Sequence, residues 1–134
     1  MNMSAWSPQL LSVLRIASGL LFLEHGTSKI LGFPPSPMHP PGPPPPHFMM
    51  LLAQASGPIE LVGGILLALG LFTRLTAFIL SGEMAVAYFT AHAHNGFFPM
   101  VNKGEIAVLY CFVFLYLAAA GGGPWSIDRL RHRT

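Results

Sequence analysis

The sequence predicts an all-α protein, a membrane four-helix bundle with both termini in the cytoplasm. Three observations predict it. Of the 134 residues, 52% are hydrophobic and only 9% charged, whereas soluble domains carry about 25% charge. Four apolar stretches of helical length are separated by breakers rich in Pro and Gly. Basic residues crowd one end of the chain, at Arg129, Arg131, His132 and Arg133. As a soluble domain, so apolar a chain would leave much of its hydrophobic surface in water; a lipid-facing bundle would not.

The first helix is expected over residues 8–31. Pro8 suits a first turn, where its missing N–H would be unpaired anyway, and Gly32, Phe33 and Pro34 end the run. No basic segment precedes it, its length exceeds the apolar core of a signal peptide, and no A-x-A site follows. It is therefore expected to remain as a span. Residues 34–46 hold nine of the 13 prolines and predict an extended or polyproline II external loop. This loop is read as a connection between helices, with docking of a proline-binding partner as the alternative.

The second helix is expected over 47–71, with Pro58 kinking it or delaying its start. Gly63, Gly64 and Gly70 allow close helix approach in lipid. Phe72 and Thr73 form a tight turn into a third helix over 74–91. The loop after it, from His92 to Pro99, has an aromatic, interfacial character. The fourth helix is expected over 102–120, stopped by Gly121, Gly122, Gly123 and Pro124, with Trp125 as an interfacial anchor. One helical domain therefore covers residues 1–134. Arg74 and the terminal arginines share one side and Lys29 and Lys103 the other, which by the positive-inside rule puts both termini in the cytoplasm. The basic tail is read as that topology signal. It is too short, and too poor in aromatics, to bind nucleic acid.

Each predicted helix carries one glutamate: Glu24, Glu60, Glu83 and Glu105. The first adds Arg15, His25 and Lys29. Ionisable residues within spans need a partner, a cavity or a proton. At about 1.5 Å per residue, Arg15, Glu60 and Glu83 lie roughly 10–13 Å from the inner boundary. They are expected to meet there, as an ionic lock or as a proton or ligand site. Glu24, His25, Lys29, His92 and Glu105 form an outer layer, either snorkelling to the interface or lining a polar pocket open to the outside. Four glutamates face two intramembrane cations, so at least one is expected to hold a proton or to receive a cationic ligand.

Cys111 is alone in the chain and is read as a small buried hydrophobe rather than a redox centre. No metal site is expected. Di-iron bundles need Glu-x-x-His on two helices, and Glu24 and His25 are adjacent. A haem gripped by His25 with His92 or His94 has no other mark of a pocket. There is no nucleotide fingerprint and no nucleophile motif.

Several segments resemble the DoxX family. Arg15-Ile-Ala-Ser-Gly19-Leu-Leu-Phe-Leu-Glu-His25-Gly26-Thr-Ser-Lys29 is similar to its first helix. Glu60-Leu-Val-Gly63-Gly64 through Gly70-Leu-Phe-Thr-Arg74 is similar to its second helix and turn. Gly104-Glu105 and the stretch from Gly121 to Trp125-Ser126-Ile127-Asp128 are similar to its fourth helix and tail. The resemblance covers nearly the whole chain, although the proline-rich loop is longer and denser in proline than the family pattern. It implies a four-helix, multi-pass inner-membrane protein. Some relatives are membrane subunits of oxidoreductase systems, including thiosulfate:quinone oxidoreductase and an oxidative-stress complex.

The leading expectation is a small membrane subunit associated with redox or sulfur chemistry, catalytic or a non-catalytic part of a membrane oxidoreductase. It would work with a partner subunit, with quinone as a candidate cofactor; Glu24, His25 and Lys29 would hold a quinone head group or a small anion near the outer surface, and Glu60 and Glu83 would handle or balance charge. A homodimer is a further expectation. The rivals are a proton-coupled small-solute carrier and a non-enzymatic scaffold.

Overall fold

A computed structural model describes residues 3–36 and 42–132, so residues 37–41 of the proline-rich loop, and Arg133, lie outside it. The described residues form helices and connections with no strand. They are α1 (Ser7–Leu31), α2 (His47–Leu69), α3 (Thr73–Ala87), the short α4 (Pro99–Asn102), α5 (Glu105–Ala120) and α6 (Ile127–Arg131). A 3-10 turn, Met3–Trp6, leads into α1.

The helix ends follow from local chemistry. Pro8 occupies the first turn of α1. Gly32 closes α1 in the left-handed conformation, at φ 70°, with its N–H donated to Ser28 O. Gly70 does the same for α2 at φ 68°, and Leu71 N–H reaches back to Leu66 O at 2.9 Å. This is the backbone pattern that glycine favours after a helix.

Helix α2 starts at His47 directly after Pro46 and stays helical through Pro58, so Pro58 does not delay its start. The fourth helix does not begin at residue 102. Lys103, at φ 61°, separates the single turn of α4 from α5. The third helix is regular only to Ala87, and then widens into a π turn, Tyr88–His92.

Helix α1 lies along α2, α3 lies along α5, and the α2–α3 contact joins the two pairs. Aromatic side chains close α1 onto α5, with the Phe22 ring 4.9 Å from Phe114 and 5.4 Å from Tyr110. The apolar centre is small: Phe22, Leu67, Ala77, Leu80, Met84, Ala107, Phe114 and Leu117. Buried polar side chains are about as numerous and include Ser12, Arg15, Ser18, Glu60, Thr73 and Asn102. Cys111 is half-buried against the apolar centre, and Ser81 Oγ donates to its carbonyl at 2.8 Å.

The outward surface is the reverse of a soluble protein's. Leu20, Leu21, Val62, Ile65, Phe78, Ile79, Leu109 and Phe112 are exposed along the helices. So wide an apolar exterior with so polar an interior suits a hydrocarbon solvent. Ser4–Leu31 and His47–Leu69 are long and apolar enough to cross a membrane, and Glu105–Ala120 is a shorter apolar helix.

Glycine sets the α1–α2 spacing. A Cβ on Gly64 would come within 2.7 Å of the Leu23 backbone, whereas one on Gly82, in α3, would meet nothing within 4 Å. Gly64→Ala is therefore expected to cost about 1–3 kcal/mol by overpacking. Gly82→Ala should be neutral or slightly stabilising. Unfolding midpoints in a denaturing-detergent titration check both, and equal midpoints would remove glycine contact as the cause of the pairing.

Candidate functional site

The structure separates the ionisable residues into two centres at opposite ends of α1. At the end nearest the α2–α3 turn, Arg15 is fully buried and lies far from the glutamates it was expected to meet. Its Nε donates to Gly122 O at 2.8 Å and its Nη2 to Trp125 O at 2.8 Å. Its Nη1 donates to Ala68 O at 2.7 Å and to Leu67 O. Leu67 and Ala68 belong to the last turn of α2, where carbonyls run short of helical partners and the helix dipole is negative; Leu67 O also accepts the Gly70 N–H at 3.0 Å. Arg15 is thus a clamp joining α1, the end of α2 and the Gly122–Trp125 segment.

Arg74 repeats the device on α5, with Nη1 donating to Ala118 O at 3.1 Å and to Ala119 O. Asp128 completes this end by capping α3 from a distance in sequence. Its Oδ1 accepts from Phe72 N and its Oδ2 from Thr73 N, both at 2.8 Å. Burial pushes its carboxyl up, but the hydrogen bonds from Thr73 and Phe72 and the charge of Arg131 outweigh this and hold it below its ordinary value. A carboxylate lowered on folding stabilises above its ordinary range and loses that contribution as pH falls through the folded value. The wild-type unfolding temperature is therefore expected to drop on acidification below about pH 4. Asp128→Asn should flatten that part of the profile, and identical profiles would exclude the cap.

At the other end, α1, α2 and α3 bring Lys29, Glu60 and Glu83 together. Lys29 Nζ lies 2.7 Å from Glu60 Oε1 and donates to Ser56 Oγ at 2.6 Å. The Lys29 side chain is 39% exposed and that of Glu60 only 4%. Glu60 Oε2 and both carboxylate oxygens of Glu83 are buried without a hydrogen-bond partner among the described residues. Glu83 is within electrostatic reach of both Glu60 and Lys29. The local sequence explains the meeting: Gly26 packs on the backbone at Glu60–Leu61 and Gly63 packs on Leu80. Those contacts put Lys29, Glu60 and Glu83 in neighbouring turns.

The remaining candidates stay apart from this cluster. Glu24 and His25 are exposed. The His25 ring lies 6.1 Å from Phe22 and 6.4 Å, edge-on, from Tyr110. Lys29 is turned to Glu60 and Ser56. His92 Nδ1 is 3.2 Å from Asn102 O. Asn102, buried, also binds Tyr88 Oη, Gly96 O and Gly104 N, so His92 serves this loop rather than a pocket. Glu105 is exposed in the first turn of α5. Among the described residues no three His, Cys, Asp or Glu side chains come close enough to hold a metal ion.

Sequence reasoning missed Ser56, Asn102, Asp128 and Tyr110. Ser56 sits four residues before Glu60, one turn along the same face of α2, and that spacing was the available signal. Nothing local marked Asp128, whose partners are 55 and 56 residues away.

The family model described as DoxX matches residues 10–93. The chain belongs to the DoxX family. Lys29, Ser56, Glu60 and Glu83 all lie within the matched DoxX region. A Haemophilus influenzae protein named only "Uncharacterized protein" is 47% identical over 133 residues, covering 95% of this chain and 94% of its own. The Escherichia coli "Inner membrane protein YqjF" is 30% identical over 123 residues, 90% of this chain and 91% of its own. The Bacillus subtilis protein named "Putative oxidoreductase CatD" is 28% identical over 116 residues, 87% of this chain and 82% of its own. No solved structure matches the chain significantly. This DoxX-family chain is a membrane protein, as its apolar exterior requires.

Proposed function

We propose that this DoxX-family chain is a small multi-pass subunit of the inner membrane whose Lys29–Glu60–Glu83 cluster holds and exchanges a proton. Its spans are α1, α2, α3 with its π turn, and α5, arranged as a four-helix bundle in one domain with both ends in the cytoplasm. The observation that carries the reading is the orphaned carboxylate edge: both oxygens of Glu83 and Oε2 of Glu60 are buried without partners. With Lys29 and both glutamates charged, the cluster has one negative charge in excess. A proton on either carboxylate removes that excess and supplies the missing donor. Lys29, partly exposed and bound to Ser56 and Glu60, gives the cluster its contact with the outside.

The system this subunit serves is the redox or sulfur-linked one. Support comes from the name of the Bacillus subtilis relative and from no residue of the cluster. No quinone step is assigned. The rival is a proton-coupled small-solute carrier using the same cluster.

Infrared difference spectra of the protein in nanodiscs, taken across a pH step, test the proton site. A protonated-carboxyl carbonyl band is expected in the wild type and should be lost or shifted in Glu83→Gln and in Glu60→Gln. A band indifferent to both variants, or none in the wild type, overturns the reading. Extraction of stoichiometric quinone from purified protein favours the redox system, and pH-dependent uptake into liposomes favours the carrier.

A further inference from the structure

The pocket at the inner end contributes nothing to the proton site. It is bounded by the α2–α3 turn, the three glycines after α5, and α6. Arg74, Arg129 and His132 face it together with Asp128. Its floor is backbone: Gly121 lies against the Arg74 guanidinium, where a Cβ would be 3.3 Å from Nη2, and a Cβ on Gly122 would strike Ser126 at 2.6 Å.

The charges are not balanced. Asp128 keeps its negative charge, with both oxygens bound to the neutral Phe72 and Thr73 amides, so one anion stands against the two arginines, Arg74 and Arg129, that line the pocket. Arg74 contacts only neutral carbonyls, of Ala118 and Ala119, so its full charge remains. The side chains of Arg129 and His132 have no hydrogen bond or ion pair among the described residues. Arg131 stands beside the pocket with its guanidinium carbon 5.1 Å from the centre of the Phe72 ring.

We propose that this pocket binds the phosphodiester of an anionic phospholipid, held between Arg74 and Arg129. The shared chemistry is a phosphate monoanion, and the surroundings decide for lipid over free phosphate. Leu75 lines the pocket. From it, exposed Leu75, Phe78 and Ile79 on α3 and Leu115 and Tyr116 on α5 continue along the paired helices. A headgroup in the pocket leaves its acyl chains along that apolar surface. Exposed Trp125 and Phe72 lie at the same end, at the depth where aromatic rings favour the membrane interface.

Native mass spectrometry of detergent-purified protein tests the site, by titrating phosphatidylglycerol and phosphatidylcholine of identical acyl chains. Phosphatidylglycerol is expected to bind in preference. Arg129→Gln should weaken it about fivefold, the effect of one basic side chain near an anionic lipid surface, and leave phosphatidylcholine unchanged. Arg129 makes no helix-end contact, so this variant keeps the fold, which circular dichroism checks; Arg74→Gln added to it should weaken binding further. Equal affinity for the two lipids, or an Arg129→Gln variant that binds phosphatidylglycerol like the wild type, overturns the proposal. Thermal stabilisation by inorganic phosphate or glycerol phosphate equal to that by phosphatidylglycerol also overturns it, assigning the pocket to a soluble anion. The infrared test of Glu60 and Glu83 is independent of all these outcomes.

Discussion

Arg15→Met is expected to lower stability by about 3–5 kcal/mol, because it takes the donor away from several buried or half-buried carbonyls at about 1–3 kcal/mol each. The Arg15 side chain is fully buried and donates to four carbonyls, those of Leu67, Ala68, Gly122 and Trp125. Methionine fills much of the volume but donates nothing. Leu67 O keeps the Gly70 N–H, and relaxation of the Gly122–Trp125 segment keeps the total below the sum over the other three carbonyls. Arg15→Lys should recover only part of the loss, because a single ammonium cannot reproduce the planar fork that reaches Gly122 and Trp125 on one side and α2 on the other. Denaturing-detergent titration reads the effect. A Met variant within about 1 kcal/mol of wild type would mean that the clamp is not held by these bonds.

Lys29→Met is expected to cost about 2–4 kcal/mol at alkaline pH. That range lies between an exposed ion pair and a buried one, because Lys29 is 39% exposed and Glu60 4%. The variant leaves Glu60 and Glu83 without their cation. The cost should shrink as pH falls, since protons then neutralise the carboxylates in its place. Adding Glu60→Gln to Lys29→Met should restore most of the stability, and the non-additivity of the pair measures the coupling. Additive effects, or a loss independent of pH, would show Lys29 to be a surface residue with no part in the cluster.

Much of the architecture was legible in the sequence. The apolar runs, their Gly and Pro punctuation and the membrane setting needed only composition and periodicity. The expected layer of Arg15, Glu60 and Glu83 splits in the structure, with Gly63 packed on Leu80 placing Glu60 and Glu83 in neighbouring turns. Arg15 was wrongly joined to them because counting residues from a helix end gives depth only if the end is known. The packing of Gly26 on Glu60–Leu61 puts Glu60 level with Gly26, 11 residues beyond Arg15 and about 16 Å away along α1. The partner of Glu60, Lys29, falls in the expected outer layer because depth counted along each helix separately carries no register of α1 against α2. The Gly122–Trp125 segment folds back under α1 and supplies carbonyls, a partner type that a search for opposite charges passes over. The Asp128 cap was hidden for the same reason, since both of its contacts are to backbone amides.

Two of the Arg15 bonds span 107 and 110 residues of chain, and the other two span 52 and 53. During synthesis the α1–α2 hairpin therefore exists well before Gly122 and Trp125 emerge. In that interval the guanidinium has only the Leu67 and Ala68 carbonyls for company. The insertion machinery must carry a half-satisfied cation, and the hairpin is competent only as a provisional state until the last segment arrives and seals it. A ribosome stalled before Gly122 should thus leave a nascent chain open to proteases around Arg15, whereas a chain that extends past Trp125 is closed there.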